Sequence, residues 1–511
     1  MTNASANNKR IAKNTLLLYF RMFVMMLVSL YTSRVVLNAL GVEDFGIYNI
    51  VGGVVVMMGV FNSSMSAATL RFITYELGRG DAIRLKQMFS ITMTIYILYA
   101  LAFVLVAEIV GLWLLNTHLT IPENRMAAAN WVFQFSIISA VASLLYNPYN
   151  AVIIAHEKMN IYAYISLLEA FLKLGVALLI LTFEENRLFC YGFFIMWSSL
   201  LVTLAYVVYC VKHYKEASYS FYWDGGRFKQ VLSFSGWNMF GAVANLAKGQ
   251  GLNVLLNVFF NPAVNASRGI AYQVNNVVTQ FFNNFYTAVR PQIVKYYAQN
   301  DIDNMLKLVF SSSRMLFFLM LLISLPILIE TPFIIQLWLG QTPEYVIPFT
   351  RLIILITAID GMSQPIMTMV QATGKIRCYQ FAMGISLLMI LPLSYILLRS
   401  GYSAVSVFYV SLFVSAFCFF LRLFIVRRLI RFSIRQYLRN VLLRCLLCGS
   451  LALIAPLWLF YQVSDGFVGF LLVLLVCLIS CLTFIWGIGL QKDEKSLLGG
   501  FIQKKFLKRQ R

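Results

Sequence analysis

Apolar residues fill long blocks separated by short polar segments. A hydrocarbon core about 30 Å thick takes about 20 residues of helix. At that length the chain reads as fourteen spans, 15–37, 45–67, 89–115, 127–154, 161–183, 188–211, 231–259, 262–289, 308–329, 346–370, 379–398, 403–426, 441–461 and 467–490. One stretch breaks the pattern. Segment 231–290 is long enough to cross twice, yet it carries Asn238, Asn245, Lys248, Gln250, Asn253, Asn257, Asn261, Asn265, Arg268, Gln273, Asn275, Asn276, Gln280, Asn283 and Asn284. From Asn261 the polar positions step by threes and fours through Asn265, Arg268, Asn275 or Asn276, Thr279 and Asn283, with Tyr272 in the gap. That spacing makes one polar face on a helix. Unpaired polar groups in hydrocarbon are expensive, so this face either lies outside the membrane or lines a hydrated space.

Charge decides between these. The chain is 60% hydrophobic and 12% charged, with 41 Lys and Arg against 20 Asp and Glu and a net charge of +21. Soluble domains carry about twice that charged share, so the composition is that of a polytopic membrane protein. The positive surplus then reads as a cytoplasmic bias of loop charge rather than as nucleic-acid binding. With the N-terminus inside, the inner segments collect Arg71, Arg79, Arg84, Lys86, Lys212, Lys215, Arg227, Lys229 and the run from Arg427 to Arg444. The outer segments hold Arg34, Arg125, Arg187 and Arg399 with most of the acids. One missed span would invert this segregation, so both polar spans are needed and both ends are expected in the cytoplasm. The first residues are polar and no small-residue cleavage site follows, which argues against a signal peptide. The longest outer loop is expected at 330–345, leaving no outer domain for catalysis. Arg79-Gly80-Asp81 falls inside and reads as a turn. Cys445 and Cys448, with Cys477 and Cys481, have a spacing open to a thiolate metal site, but read better as small apolar residues. His118, His156 and His213 all sit near predicted helix ends, which argues against a histidine centre.

The chain repeats itself. GVEDFGIYNIVGGVVVMMGVFNSSMSAATLRFITYELGRGD from Gly41 is matched by NPAVNASRGIAYQVNNVVTQFFNNFYTAVRPQIVKYYAQND from Asn261. Each has an outer turn, a polar-faced helix, an inner arginine (Arg71, Arg290), an aromatic segment and a closing aspartate (Asp81, Asp301). An offset of about 220 residues, six spans, means parallel repeats related by an axis along the membrane normal. The expected fold is therefore all-α and polytopic, with two pseudo-symmetric six-helix lobes and two added helices. The segments are a first lobe 1–211, a cytoplasmic linker 212–230, a second lobe 231–426, spans 13 and 14 in 427–490, and a basic cytoplasmic tail 491–511. The lobes are expected to face each other through their polar hairpins.

Ionisable groups within spans default to functional hypotheses. Glu169 and Lys173 are four apart, acid first, the favourable order for a helical ion pair; with Asp360 they are candidates for ion coupling. Glu108, Arg351 and Arg422 lie near span ends, where side chains reach the interface. Arg21, Lys248 and Arg268 sit on the polar hairpins, with no carboxylate on the same or adjacent helices placed to neutralise them. Flanked by Asn245, Asn275 and Asn276, they would make a cavity cationic, suited to an anion; a pairing with distant Asp360 is the structural alternative.

The segments RIAKNTLLLYFRMFVMMLVSLYTSRVVLNALGVEDFGIYNIVGG and FNSSMSAATLRFITYELGRGD, with Leu40 to Tyr48 the best local match, resemble the Wzx-type polysaccharide flippases. These form a branch of the multidrug/oligosaccharidyl-lipid/polysaccharide (MOP) exporter superfamily. The resemblance extends over the whole chain. It implies a MATE-like fold and no enzymatic activity. It also implies translocation of an undecaprenyl-pyrophosphate-linked oligosaccharide across the bacterial cytoplasmic (inner) membrane by alternating access, for O-antigen or other surface-polysaccharide synthesis. By position, Arg21, Lys248 and Arg268 would meet the pyrophosphate. No cofactor is implied, although an H+ or Na+ gradient is compatible with the fold. Implied partners are the lipid-linked oligosaccharide, membrane lipid and other polysaccharide-assembly membrane proteins, without nucleic acid. In the related peptidoglycan-precursor flippase the last two spans hold the lipid tail, a role this branch need not share. A multidrug exporter of the same superfamily is the alternative; it would favour uncompensated carboxylates.

Overall fold

A computed structural model describes residues 2–56, 59–117, 121–260, 262–340, 342–463, 466–491, 494 and 495. The tail beyond 495, with Asn261, His118 and Asp465, lies outside the described residues. Among the described residues there is no strand. The helices are α1 (Thr2–Val56), α2 (Gly59–Arg79), α3 (Ala82–Thr117), α4 (Glu123–Ala155), α5 (Met159–Ile180), α6 (Arg187–His213), α7 (Gly225–Phe259), α8 (Pro262–Ala298), α9 (Ile302–Ile329), α10 (Thr331–Leu339), α11 (Val346–Thr373), α12 (Arg377–Arg399), α13 (Ser406–Leu429), α14 (Ile434–Gln462) and α15 (Phe467–Gly489). The described residues of the fourteen expected spans fall on helix, apart from a few at span ends. Among the described residues, eleven helical segments are long and apolar enough to cross a membrane, and the predicted spans missing from that set are 45–67, 231–259 and 262–289. Those are the polar hairpin members, so they form helix despite their composition. A backbone in hydrocarbon has few other ways to satisfy its N–H and C=O groups. The protein is a multi-pass membrane protein.

Two local expectations change. The turn expected near residue 41 is a single residue: Gly41, at φ 75° and ψ 172°, breaks α1 and the helix resumes at once. A positive φ there favours glycine, which has no Cβ to clash. The loop expected at 330–345 contains the extra helix α10, with proline in its first turn and Gly340 at φ 71° closing it, the order in which these residues start and stop helices.

The chain forms two compact units, residues 11–242 and residues 1–10 with 243–511. The division falls inside α1 and inside α7. Within the first unit α4 is central, packing on α2, α3 and α6, while α5 joins α6. Within the second, α11 is central, packing on α8, α9 and α13, while α12 joins α13. The main helix pairs correspond in the two units, as in a six-helix repeat. Large side chains fill the centres: Phe133, Tyr96 and Phe89 in one unit, Phe349, Phe408 and Tyr379 in the other, each less than 2% exposed. Helices α14 and α15 pair with each other and dock on α9.

The closing aspartates of the repeat have one structural role. Gly80 (φ 75°) and Asn300 (φ 61°) take left-handed conformations that end α2 and α8. Asp81 and Asp301 then cap the next helices, accepting from the backbone N–H of Arg84 at 3.0 Å and of Asn304 at 3.2 Å. A side-chain oxygen at this position satisfies one of the unpaired donors of the first turn. The Arg-Gly-Asp tripeptide is this turn.

Candidate functional site

The candidate residues fall into clusters within each unit. In the second unit, the hairpin of α7 and α8 is held by its own polar side chains. Asn265 donates to the Asn253 carbonyl at 3.1 Å. Arg268, 6% exposed, donates to the Asn253 side-chain oxygen and to the Gly249 carbonyl at 3.0 Å, and its guanidinium lies 4.6 Å from the Tyr272 ring centroid. Its Nε is buried without a hydrogen-bond partner. Arg268 thus has neutral acceptors and an aromatic face, and no ion pair among the described residues. Its charge is desolvated and uncompensated, a costly arrangement unless an anion is brought to it.

Part of the polar face is therefore taken up in holding the hairpin. The remainder is open. Asn245 and Asn276 are exposed, while Asn275 is buried with its Oδ1 unpaired. Lys248 is partly buried and makes no hydrogen bond or ion pair among the described residues. The aromatic residues of α8 serve mainly in packing: Phe282 and Phe285 join the core of α8, α9 and α11, and the Tyr286 hydroxyl meets Thr368 Oγ1 at 2.5 Å.

Asp360 does not pair with the hairpin cations. Its Oδ1 lies 3.8 Å from Arg422 Nη1, and Ser415 donates to its other oxygen at 3.5 Å. Arg422 therefore does not run out to the interface as its position near a span end suggested; it turns inward, 14% exposed, to the only nearby acid on α11. Cys418 stands in the field of Arg422, Asp360 and Lys248 together. This cluster holds two cations and one carboxylate. Arg351 likewise turns inward, donating to the Leu328 and Ile329 carbonyls at 2.9 and 3.3 Å. A cation there complements the negative end of α9.

In the first unit Arg21 lies 4.5 Å from the Tyr162 ring centroid, its Nε buried and unpaired. It is less isolated than its sequence neighbourhood suggests. Tyr206 stands in the field of both Arg21 and Glu169, which comes from α5. Lys173 Nζ donates to Glu169 Oε1 at 2.6 Å, as the four-residue spacing predicts. Here too the cluster is two cations and one carboxylate. Glu169 and Lys173 line a cavity of about 450 Å³ walled by α3, α4, α5 and α6, with Tyr48 of α1 and Asn62 of α2 also at its edge. Glu108, toward the C-terminal end of α3, accepts from Gln134 at 3.1 Å.

Further ion pairs join side chains distant in the chain, among them the two that follow. Arg314 on α9, with a side chain 2% exposed, pairs with Glu494 at 2.5 Å and donates to the Asn440 carbonyl at 3.1 Å. It falls near the start of the predicted span 308–329, and packing buries it against Glu494, just past the end of α15. His156 Nε2 meets Glu216 Oε1 at 2.7 Å, its ring stacked 4.2 Å from Tyr214. With Tyr219 to Thr94 at 3.3 Å and Arg227 to Gln87 at 2.9 Å, it fastens the segment after α6 onto α3 and α4. All eight cysteines are free, and no cluster able to hold a metal occurs among the described residues.

No family model and no curated protein matches the sequence. Solved structures do match the fold. The outward-facing conformation of a multidrug resistance MATE family transporter of the MOP superfamily aligns with TM-score 0.70 at 12% identity, over 83% of this chain and 95% of that one. The MATE transporter ClbM, in complex with Rb+, gives 0.69 at 14% identity over 84% and 97%. A MOP superfamily transporter from Pyrococcus furiosus, described by the reverse polarity of its binding pocket as suggesting a different function, gives 0.68 at 13% over 83% and 96%. At this identity the likeness is one of architecture, and the fold of this chain is that of the MATE transporters of the MOP superfamily.

Proposed function

We propose that the protein is a flippase of the polysaccharide-exporting branch, moving an undecaprenyl-pyrophosphate-linked oligosaccharide across the bacterial cytoplasmic membrane by alternating access. Both termini would be cytoplasmic. Its partners would be the lipid-linked oligosaccharide, membrane lipid and other polysaccharide-assembly proteins. The observation that carries this reading is Arg268: a buried guanidinium with only neutral acceptors, on a hairpin that also carries unpaired Lys248. A pyrophosphate supplies the missing negative charge, and the guanidinium fork matches its oxygens. The exposed amides of Asn245 and Asn276 both donate and accept, as sugar hydroxyls require.

The surplus of cations in each cluster disfavours a cationic drug as cargo. A fold neighbour is itself described as having a pocket of reverse polarity and, on that ground, a different function. Pocket charge is the feature on which the two readings of this chain part. Asp360 and Glu169, the latter paired with Lys173, are the acids offered for coupling to an ion gradient.

Arg268→Gln and Lys248→Gln are expected to abolish surface-glycan export while the protein remains inserted. Full-length lipid-linked repeat units should accumulate on the cytoplasmic leaflet. Normal export from both variants would sink the pyrophosphate contact, and drug sensitivity without glycan accumulation would favour the exporter.

A further inference from the structure

The cavity of the first unit differs from the hairpin site in its chemistry. Glu169 lies ten residues into α5, about 15 Å from the helix start at 1.5 Å per residue, which is mid-depth for a span. The side chains of the pair at this depth are 35% exposed for Glu169 and 46% for Lys173. Charged groups so placed in a transmembrane helix face a water-filled space, not lipid. Ser136, Ser139 and Ser143 of α4 fall on one helix face and, with Ser199 of α6, line the space. The hydroxyls of Ser139 and Ser199 donate to their own helix, to the Phe135 and Ile195 carbonyls at 2.8 and 3.1 Å. Their oxygens keep acceptor capacity for a guest. Lys173 donates one N–H to Glu169 and retains two. Tyr146, stacked 4.8 Å from Tyr206, adds an aromatic wall.

We propose that this cavity binds a neutral pyranose ring: it is a saccharide subsite, separate from the phosphate-binding hairpin. The inference deepens the flippase reading and rests on it. The carboxylate of the cavity is already neutralised by Lys173, so a bare monovalent cation gains little there, and an anion meets Glu169. A polyhydroxylated ring instead uses the donors of Lys173, the acceptors of Glu169 and the serines, and the tyrosine wall together. The volume lies at the lower end of the range for small-molecule sites, about 300–1,000 Å³, enough for a short saccharide.

The test uses the purified full chain in phosphatidylcholine nanodiscs, with saturation-transfer NMR of free N-acetylglucosamine, galactose and mannose as probes. At least one pyranose should receive saturation. Glu169→Gln, nearly isosteric, and Lys173→Met should each cut the signal at least fivefold, and Ser139→Trp, which fills the cavity, should remove it. Absence of signal from all three sugars, or an undiminished signal in both Glu169→Gln and Lys173→Met, overturns the proposal. So does saturable Na+ or Rb+ binding that Glu169→Gln abolishes in place of sugar binding. Failure of the flippase reading shows elsewhere, as normal glycan export by Arg268→Gln cells, and does not alter this readout.

Discussion

Replacing Glu494 by glutamine leaves Arg314 charged and buried. The arginine side chain is 2% exposed and that of its partner 12%, so the ion pair is screened little by water. Ser311 and the backbone N–H of Gln491 also converge on the Glu494 carboxylate, at 2.5 and 2.8 Å. Breaking a buried pair by removing one partner costs about 3–5 kcal/mol, because the remaining charge is uncompensated. Glutamine keeps one acceptor oxygen, so the lower end applies: about 3 kcal/mol, or roughly a hundredfold in the local opening equilibrium. The effect should be confined to the contact of α15 with α9 and α14. Hydrogen exchange measured on the detergent-solubilised protein should show the amides at the end of α15 exchanging roughly a hundredfold faster in Glu494→Gln. Because a buried pair replaced by apolar groups is often neutral, the double variant Arg314→Met, Glu494→Leu should recover most of the protection. Wild-type protection in the single variant, or equal damage in the double, would refute the reasoning.

Two further outcomes follow from local structure. Asp81→Ala and Asp301→Ala should each destabilise the start of the following helix by about 1 kcal/mol, seen as faster exchange in the first turns of α3 and α9; no change in either would remove the shared capping role. Hydrogen bonding to His156 holds the Glu216 carboxyl below its ordinary range. A depressed carboxylate stabilises the fold above its unfolded pKa and loses that contribution as pH falls through the folded value. The segment after α6 should therefore stay fastened at neutral pH and through the ordinary carboxylate range, and loosen below it. Limited proteolysis of this segment against pH tests this, and Glu216→Gln should be loose at every pH; a wild-type segment that loosens on alkalinisation instead would contradict it.

Much of the architecture was legible along the chain. A membrane span is a local object: its backbone satisfies itself within one helix, so length and apolarity suffice to find it. The repeat was legible for the same reason, since Gly80-Asp81 and Asn300-Asp301 are the same stop-and-cap signal written twice. Even the polar hairpin could be recognised as helical from its steps of three and four. The extra helix α10 was missed because nine residues are too few to register against the length that defines a span.

Apart from local pairs such as Glu169 and Lys173, one helical turn apart on α5, the partners of the charges were not legible. Asp360 finds Arg422, Arg314 finds Glu494 and Arg21 shares Tyr206 with Glu169, all across helices far apart in sequence. Hydrophobic pattern says which face of a helix is buried, not which neighbour it meets. Sequence alone therefore determined that this chain crosses the membrane many times, in two similar six-helix halves, with one hairpin in each too polar for lipid. Only tertiary packing decided which cations are neutralised, leaving Arg268 against neutral acceptors and Lys248 unpaired among the described residues. The physical reason is range: hydrogen bonding within a helix is settled by neighbours in the chain, whereas a charge is settled by whatever the fold brings within a few ångströms of it.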